Sequence, residues 1–243
     1  MPDERDEHTY ARPVAGILGE VANFEPPTLE HSPEWWEQRD REVAEQRARD
    51  FAAAEAQRAI ERAGDLRESG FPEMFVSSGL GDLADTEAMR HARMFIHLPK
   101  KLLVLAGGVG TGKTTAAAWL ALKGQDPRPG FVRIATLARR SLYDRKLTDW
   151  LEGLTSLVID DVGAEFLDGK GAFRSLMDEV VDTFYSNRRT LVMTTNLRPR
   201  RKGPEDEPEF AERYGERVWS RVTQVGVWGD CGTRDLRRKE SSK

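Results

Sequence analysis

This 243-residue sequence has little cysteine, no long apolar run and no apolar N-terminal stretch. One cysteine, Cys231, excludes an internal disulfide, and it also excludes a zinc site with four cysteines or with two cysteines and two histidines. The apolar runs are far shorter than the ~18 residues that a membrane span needs. Residues 1–7 are acidic, which is unlike a secretory signal. We therefore expect a cytoplasmic protein that uses neither zinc nor a membrane.

Charged residues, in contrast, are abundant and nearly balanced. The sequence has 37 Lys+Arg and 41 Asp+Glu, which gives a net charge of −4, and its hydrophobic content of 39% is sufficient for a core. At roughly 150 residues per domain, the length suits one full domain and a smaller appendage. The net acidity argues against a protein that coats nucleic acid, although it is compatible with a local basic site.

The appendage is predicted at the N-terminus, over residues 1–69, and the main domain over residues 70–243. Residues 1–32 contain four prolines and no apolar period, which indicates irregular structure. Ser32-Pro33-Glu34 is typical of a helix start, and a long helix is predicted from Trp35 to about Arg67. Its apolar residues are sparse, which fits either a solvated helix packed on the next domain or an arm that binds a partner.

From Lys101 onward, apolar strands alternate with helices, which predicts an α/β fold with a parallel sheet covered by helices on both faces. A helix is predicted over Asp85–Ile96. The strands are predicted at Leu102–Leu105, Phe131–Thr136, Leu157–Ile159, Leu191–Thr194 and Val225–Trp228, and further helices at Thr114–Lys123, Phe173–Tyr185 and Phe210–Val222.

A phosphate-binding loop follows the first predicted strand. GGVGTGKT at residues 107–114 matches G-x-x-x-x-G-K-[ST] at every fixed position. Glycines allow the backbone N–H groups to approach phosphates, and the next helix directs its positive N-terminus at them. We expect Lys113 to bind the β- and γ-phosphates and Thr114 to ligate Mg²⁺. The predicted nucleotide-binding residues are Gly107, Gly108, Val109, Gly110, Thr111, Gly112, Lys113, Thr114 and Thr115.

Two later strands end in polar residues that suit the metal and water side of such a site. Asp160 and Asp161 end the third strand; we expect Asp160 to hold the metal and Asp161 to orient or deprotonate the attacking water. Glu165 is a second candidate for the latter role, because glutamate is commoner there. Asn196 ends the fourth strand, and we expect it to hold the attacking water near the γ-phosphate.

Together these motifs resemble AAA+ ATPases, and within them the bacterial DnaC-like helicase loaders and the IstB-type transposition helpers. The resemblance spans about residues 70 to 238. It implies that the protein binds adenine nucleotide and Mg²⁺. It also implies that Asn196 is sensor 1 and that Asp161 is an ordinary variant of the Walker B motif. The sequence ends soon after Arg221, so we expect a small or absent lid. The segments that carry the resemblance are Gly70–Pro72, Gly107–Thr115, Leu157–Glu165, Asp182–Tyr185, Arg189-Thr190, Thr194–Leu197 and Gly215–Val222.

The resemblance also implies an arginine finger that acts on ATP in the neighbouring subunit. Arg217 and Arg221 share one face of a predicted helix. We prefer Arg221 for the finger and Arg217 for support of the interface, since a guanidinium offers aligned donors to the γ-phosphate. Self-association into a ring or spiral with ATP follows. A sensor 2 arginine is available only in the tail, as Arg234, Arg237 or Arg238, and Arg237 is the first choice.

The implied partners are a replicative helicase, through the N-terminal arm, and single-stranded DNA. Basic and aromatic residues suit backbone contact and base stacking, although ordinary solvated charges are the better explanation for any one of them. The basic run near residue 200 is followed by acidic residues, so it also fits a charge-balanced loop. The candidates are Arg139, Arg140, Tyr143, Lys170, Phe173, Arg174, Arg198, Arg200, Arg201, Lys202 and the tail from Arg234 to Lys243.

Other functions remain open at this point. A transposition helper has the same core but a transposase partner and duplex DNA, and the core motifs do not separate it from a loader. A small-molecule kinase shares the P-loop, but Asn196 and the Glu216–Arg221 segment argue against it. A non-hydrolysing ATP-switched scaffold fits the short side chain of Asp161. A GTPase is disfavoured because the Asn-Lys-x-Asp motif is missing.

Overall fold

The computed structural model describes residues 32–81, 83–124, 126–165, 171–203, 206 and 209–237. The predicted irregular segment therefore lies outside the described residues, except for Ser32. Two further predicted sites, Lys170 and the tail from Arg238, also lie outside them. The chain forms two compact units, Met1–Ala53 and Ala54–Lys243. The division at residues 69 and 70 stays a prediction.

Helix α1 spans Pro33–Glu68, close to its predicted bounds. The Trp35 N–H donates to Ser32 Oγ at 3.3 Å, so Ser32 is the N-cap that the sequence predicts. In the first unit, the α1 residues up to Ala53 are all exposed. In the second unit, Ala63 and Leu66 of α1 are buried in its core.

The second unit is built on a five-stranded, all-parallel sheet. Its strands are β1 Leu102–Ala106, β2 Pro129–Arg133, β3 Ser156–Val162, β4 Thr190–Thr195 and β5 Gly226–Asp230, in the order β2-β3-β4-β1-β5. The inner strands are continuous runs of Leu, Val, Ile and Met, as expected where both faces of a sheet are covered. The predicted α/β fold with a five-stranded parallel sheet is thus confirmed.

Helices cover both faces of this sheet. Leu103 and Leu105 of β1 pack in one core with α2, α3, α4 and the end of α1, whereas Leu102 and Val104 pack in the other core with α5 to α9. This alternation follows from the two-residue period of a strand. The helices are α2 Glu73–Leu80, α3 Glu87–Phe95, α4 Lys113–Lys123, α5 Ile134–Tyr143, α6 Leu147–Gly153, α7 Ala172–Ser186, α8 Phe210–Tyr214 and α9 Glu216–Val225.

Two predicted elements are corrected by the structure. The strand predicted over Phe131–Thr136 ends at Arg133, and residues 134–136 begin α5, because Ile134 and Leu137 face the core at helical spacing. The single helix predicted over Phe210–Val222 is two helices, α8 and α9. Gly215 separates them with φ 94°, a conformation that favours glycine.

The sheet order brings the predicted site together. Strand β4 lies between β1 and β3, so the carboxyl end of β4 lies between the P-loop and the acidic end of β3. After β5, the described residues 231–237 contain no helix, so this part of the tail provides no helical lid. Within the described residues, no helix combines the length and apolar character that a bilayer span requires.

Candidate functional site

The P-loop connects β1 to α4 in a tight turn. Gly110 and Gly112 have φ of 78° and 84°, in the left-handed region, which glycine adopts without strain. Gly112 is the N-cap of α4, and Lys113 and Thr114 form the first turn of that helix. Their position places a cationic side chain and a hydroxyl at the positive end of the helix, which is a favourable place for phosphate oxygens.

Lys113 lies at the centre of the site. Its Nζ donates to the carbonyl oxygens of Gly107, at 2.9 Å, and Gly108, at 2.6 Å, and to Asn196 Oδ1, at 3.0 Å. The side chain is buried, and this burial lowers the pKa of the ammonium group. The lysine of the P-loop and the predicted sensor asparagine are therefore in direct contact, although 83 residues separate them.

Asp160 and Thr114, the two predicted metal ligands, are also in contact. Asp160 Oδ1 accepts from Thr114 Oγ1 at 2.8 Å and from Thr194 Oγ1 at 2.6 Å. Burial raises the pKa of Asp160, and the two hydroxyl donors oppose that rise. A hydroxyl and a carboxylate are hard oxygen donors, and Mg²⁺ in phosphate-transfer sites is commonly held by one or two such groups together with substrate phosphates. The residues present fit Mg²⁺.

Asp161, the predicted water-activating residue, has an exposed side chain and an unusual backbone. Its φ is 60°, which is uncommon outside glycine, and its N–H donates to Thr194 Oγ1 at 3.0 Å. Its carbonyl accepts from the Ala164 N–H at 3.0 Å, which closes a turn after the strand. Strained backbone of this kind is concentrated at functional sites.

Thr194 was missed by the sequence analysis, yet its one hydroxyl contacts both acidic residues. It is fully buried, donates to Asp160 and accepts from the Asp161 backbone. The available signal was a threonine at the end of an apolar strand, next to the predicted sensor. This signal is weak, because threonine is common in strands.

Glu165, the second candidate for water activation, is held in a different role. Its side chain has 0% exposure, and its Oε1 accepts from Arg213 Nε and from the Tyr214 hydroxyl, both at 2.8 Å. A carboxylate engaged in this way is not positioned to take a proton from water. Arg213 and Tyr214 are also residues that the sequence analysis missed, since no local pattern relates them to a residue 48 positions earlier.

The C-terminal tail packs against the P-loop. The Gly108 N–H donates to the Gly232 carbonyl at 2.8 Å, and the Leu236 N–H donates to the Gly110 carbonyl at 3.0 Å. A Cβ atom on Gly110 would clash with the carboxylate of Asp235. Arg237 Nε lies 3.0 Å from the position that a Cβ atom on Gly110 would take, so this predicted sensor 2 residue lies beside the P-loop.

The two arginines of α9 lie against carboxylates of α7. Arg221 pairs with Asp182 and has a second, longer contact with Asp178, at 3.8 Å, and its side chain is 18% exposed. Arg217 contacts Asp178 at 3.0 Å and is 70% exposed. Their predicted common face is confirmed by the shared contact with Asp178. Within the described residues, neither Arg217 nor Arg221 contacts the P-loop of its own chain.

Some of the candidate DNA-binding residues are exposed to solvent, whereas others are buried or paired with residues of this chain. Tyr143 is 82% exposed and Arg139 is exposed, whereas Phe173 is buried in the core and therefore cannot stack on a base. Arg140 lies over the Trp150 ring, 4.3 Å from its centroid, and pairs with Asp144. Two cations of the basic run are neutralised, in the pairs Arg198–Glu209 and Arg200–Glu216. This pairing favours the charge-balanced loop.

No family model and no curated protein matches the chain. Solved structures that match include the DnaC helicase loader, at 25% identity and a TM-score of 0.46, covering 58% of this chain and 85% of that chain. DnaI matches at 20% identity and a TM-score of 0.49, covering 65% of this chain and 88% of that chain.

DnaA from Aquifex aeolicus, bound to AMPPCP, also matches, at 16% identity and a TM-score of 0.48. That match covers 63% of this chain and 48% of DnaA. These three matches are similarities to solved structures, each with a TM-score below 0.5. The function of this chain has to be argued from the residues of its own site.

Proposed function

We propose that this protein is a Mg²⁺-dependent AAA+ ATPase that loads a replicative helicase onto single-stranded DNA. The observation that carries the ATPase part is the meeting of three strand ends at one point. Lys113 contacts Asn196 at 3.0 Å, and Thr114 contacts Asp160 at 2.8 Å. These two contacts bring together a lysine that can bind the phosphates, two oxygen ligands for Mg²⁺ and an amide that can orient water.

The roles of these residues follow from their chemistry. Bound Mg²⁺ would be held by Thr114 and Asp160 and would neutralise charge on the β- and γ-phosphates. Lys113 exchanges its present carbonyl partners for phosphate oxygens, which are stronger acceptors for an ammonium group. Asn196 then orients the attacking water, and Asp161 accepts its proton as the phosphoryl group is transferred.

The site is completed by an arginine of a neighbouring subunit. Sequence reasoning preferred Arg221 for this finger, with Arg217 in support. The exposures favour the opposite assignment. The Arg221 side chain is 18% exposed and pairs with Asp182, whereas the Arg217 side chain is 70% exposed, although it also pairs with Asp178. We infer that Arg217 reaches the γ-phosphate across the interface and that Arg221 fixes α9 on α7.

The loader role is supported by the motifs and by two exposed surfaces. Trp36, Val43 and Phe51 of α1 are exposed apolar residues, which suit contact with a partner helix. Tyr143 and Arg139 suit stacking and phosphate contact with single-stranded DNA. A transposition helper shares the ATPase core, and the partner that α1 binds distinguishes the two functions.

The test is the mass of the protein in solution, measured by size-exclusion chromatography with light scattering. We expect the wild type to assemble when a non-hydrolysable ATP analogue, Mg²⁺ and single-stranded DNA are present together. Arg217→Ala is expected to stay smaller under the same conditions. A wild type that stays monomeric in every condition, yet hydrolyses ATP, would contradict the shared active site and favour a kinase-like P-loop protein.

A further inference from the structure

A buried acidic side chain joins the loop after β3 to the helices that carry the arginines. Glu165 follows Asp161 by four residues, and its side chain is fully buried. Its Oε2 accepts from the Gly163 N–H at 3.0 Å, so the carboxylate supports the turn in which Asp161 lies. Its Oε1 accepts from Arg213 and Tyr214, at the end of α8.

One further contact of Arg213 strengthens this connection. Arg213 Nη2 donates to the main-chain carbonyl of Glu165 at 2.5 Å, so its guanidinium contacts both the side chain and the backbone of that residue. Burial strongly raises the pKa of the Tyr214 hydroxyl, which therefore stays protonated and continues to donate. The Glu165 carboxylate thus accepts three hydrogen bonds. One comes from the nearby Gly163 N–H, and two come from Arg213 and Tyr214, of which Arg213 lies 48 positions later in the chain.

The position of α8 in turn determines where α9 begins. Only Gly215 lies between Tyr214 and the first residue of α9, Glu216. Phe210 of α8 packs with Trp219 of α9 and with Trp228 of β5, which links the two helices through an aromatic cluster. These contacts connect the end of α8 to α9, the helix that carries Arg217 and Arg221.

The end of β3 and the loop after it are also connected to the sensor strand. Val162 O accepts from Thr195 Oγ1 at 2.6 Å, and a Cβ atom on Gly163 would clash with Leu197. Residues 162–165 thus contact the end of β4, next to Asn196, and also α8. A continuous series of contacts therefore joins the metal and water side of the site to α8 and α9.

We infer that Glu165 is a positioning residue that couples the Asp160–Asp161 turn to α8 and α9, and so sets the arginines for action on the neighbouring subunit. This inference rests on the proposed ATPase function. Glu165 touches no substrate in this role. It holds the two halves of a shared active site, the acidic turn and the arginine helix, in a fixed relation.

Hydrogen–deuterium exchange on the full chain tests the coupling directly. The protein is kept dilute and without DNA, and a non-hydrolysable ATP analogue with Mg²⁺ is added. In the wild type we expect protection at residues 107–115 and at residues 210–225. In Glu165→Gln we expect protection at 107–115 to remain, whereas the response at 210–225 is lost.

The matched control is Glu216→Gln, which makes the same chemical change in an exposed carboxylate of α9 that pairs with Arg200. We expect this variant to respond as the wild type does. Steady-state kinetics provide a second readout, because Glu165→Gln is expected to keep its KM and lose kcat by up to about 100-fold, the loss that a displacement of roughly 1 Å produces.

The outcomes separate this inference from the proposed function. No protection at 107–115 in the wild type contradicts nucleotide binding itself. Protection there without any response at 210–225 overturns the coupling but leaves the ATPase proposal intact, as does a Glu165→Gln variant that behaves like the control. If Glu165→Gln fails to fold, Tyr214→Phe removes one donor only, and we expect a partial loss of the response; an unchanged response overturns the inference.

Discussion

Thr194→Val removes one hydroxyl that supports both acidic residues while keeping the shape of the side chain. The hydroxyl donates to the Asp160 carboxylate at 2.6 Å and accepts from the Asp161 N–H at 3.0 Å. A hydrogen bond to a charged group contributes about 1.5–3 kcal/mol, and an orphaned buried N–H costs about 1–3 kcal/mol. Because such terms overlap, we expect a loss of about 3 kcal/mol in the free energy of unfolding, or ~6–12 °C in the melting temperature.

Thr195→Val is the matched control. Thr195 is equally buried and also makes two hydrogen bonds, donating to the Val162 carbonyl at 2.6 Å and accepting from the Leu197 N–H at 3.0 Å, but neither partner is charged. Urea denaturation of both variants measures the difference. We expect Thr194→Val to lose more stability than Thr195→Val, since only the former weakens the support of a buried carboxylate.

The pH dependence of this stability loss tests whether it arises from the Asp160 carboxylate. Burial raises the pKa of Asp160, and the Thr194 hydrogen bond lowers it, so the Thr194→Val variant has the higher pKa. An acid whose pKa is raised on folding destabilises the fold when it is charged. The excess loss in Thr194→Val is therefore absent below the ordinary carboxyl pKa of about 4 and grows as the pH rises toward 7. Equal losses in the two variants, or a loss independent of pH, would refute this reasoning.

Three further predictions concern the P-loop, the metal site and the DNA surface. Gly110→Ala should weaken both folding and nucleotide binding, by about 1–3 kcal/mol, because of its positive φ and the adjacent Asp235; denaturation and nucleotide titration measure this. Asp160→Asn should leave nucleotide binding without Mg²⁺ unchanged and abolish Mg²⁺-dependent turnover. Tyr143→Ala should weaken single-stranded DNA binding by about 1–3 kcal/mol at constant salt, with DNA-independent ATP turnover unchanged; an equal affinity would exclude stacking.

Much of the site could be predicted because its signals are local. The P-loop is a contiguous motif, and Asp160, Asp161 and Asn196 each follow an apolar strand. The parallel sheet then brings these strand ends to one edge, where Lys113 contacts Asn196 and Thr114 contacts Asp160.

What the sequence analysis missed depends on tertiary contacts. The predicted end of β2, at Thr136, is three residues too late, because the sequence alone does not show that Ile134 and Leu137 face the core from a helix. The break at Gly215 was missed, since the flanking residues favour a helix. The Glu165–Arg213–Tyr214 cluster and the packing of the tail on Gly110 join residues far apart in the chain, and nothing in their spacing indicates a contact.

The shared active site is tested most directly by mixing two inactive variants. Lys113→Ala removes the P-loop cation and Arg217→Ala removes the proposed finger, so each variant alone should hydrolyse almost no ATP. A mixture forms interfaces in which an intact P-loop faces an intact arginine, and we predict that ATP hydrolysis returns when single-stranded DNA and Mg²⁺ are present. A mixture as inactive as its two components, at concentrations where both assemble, would contradict the account.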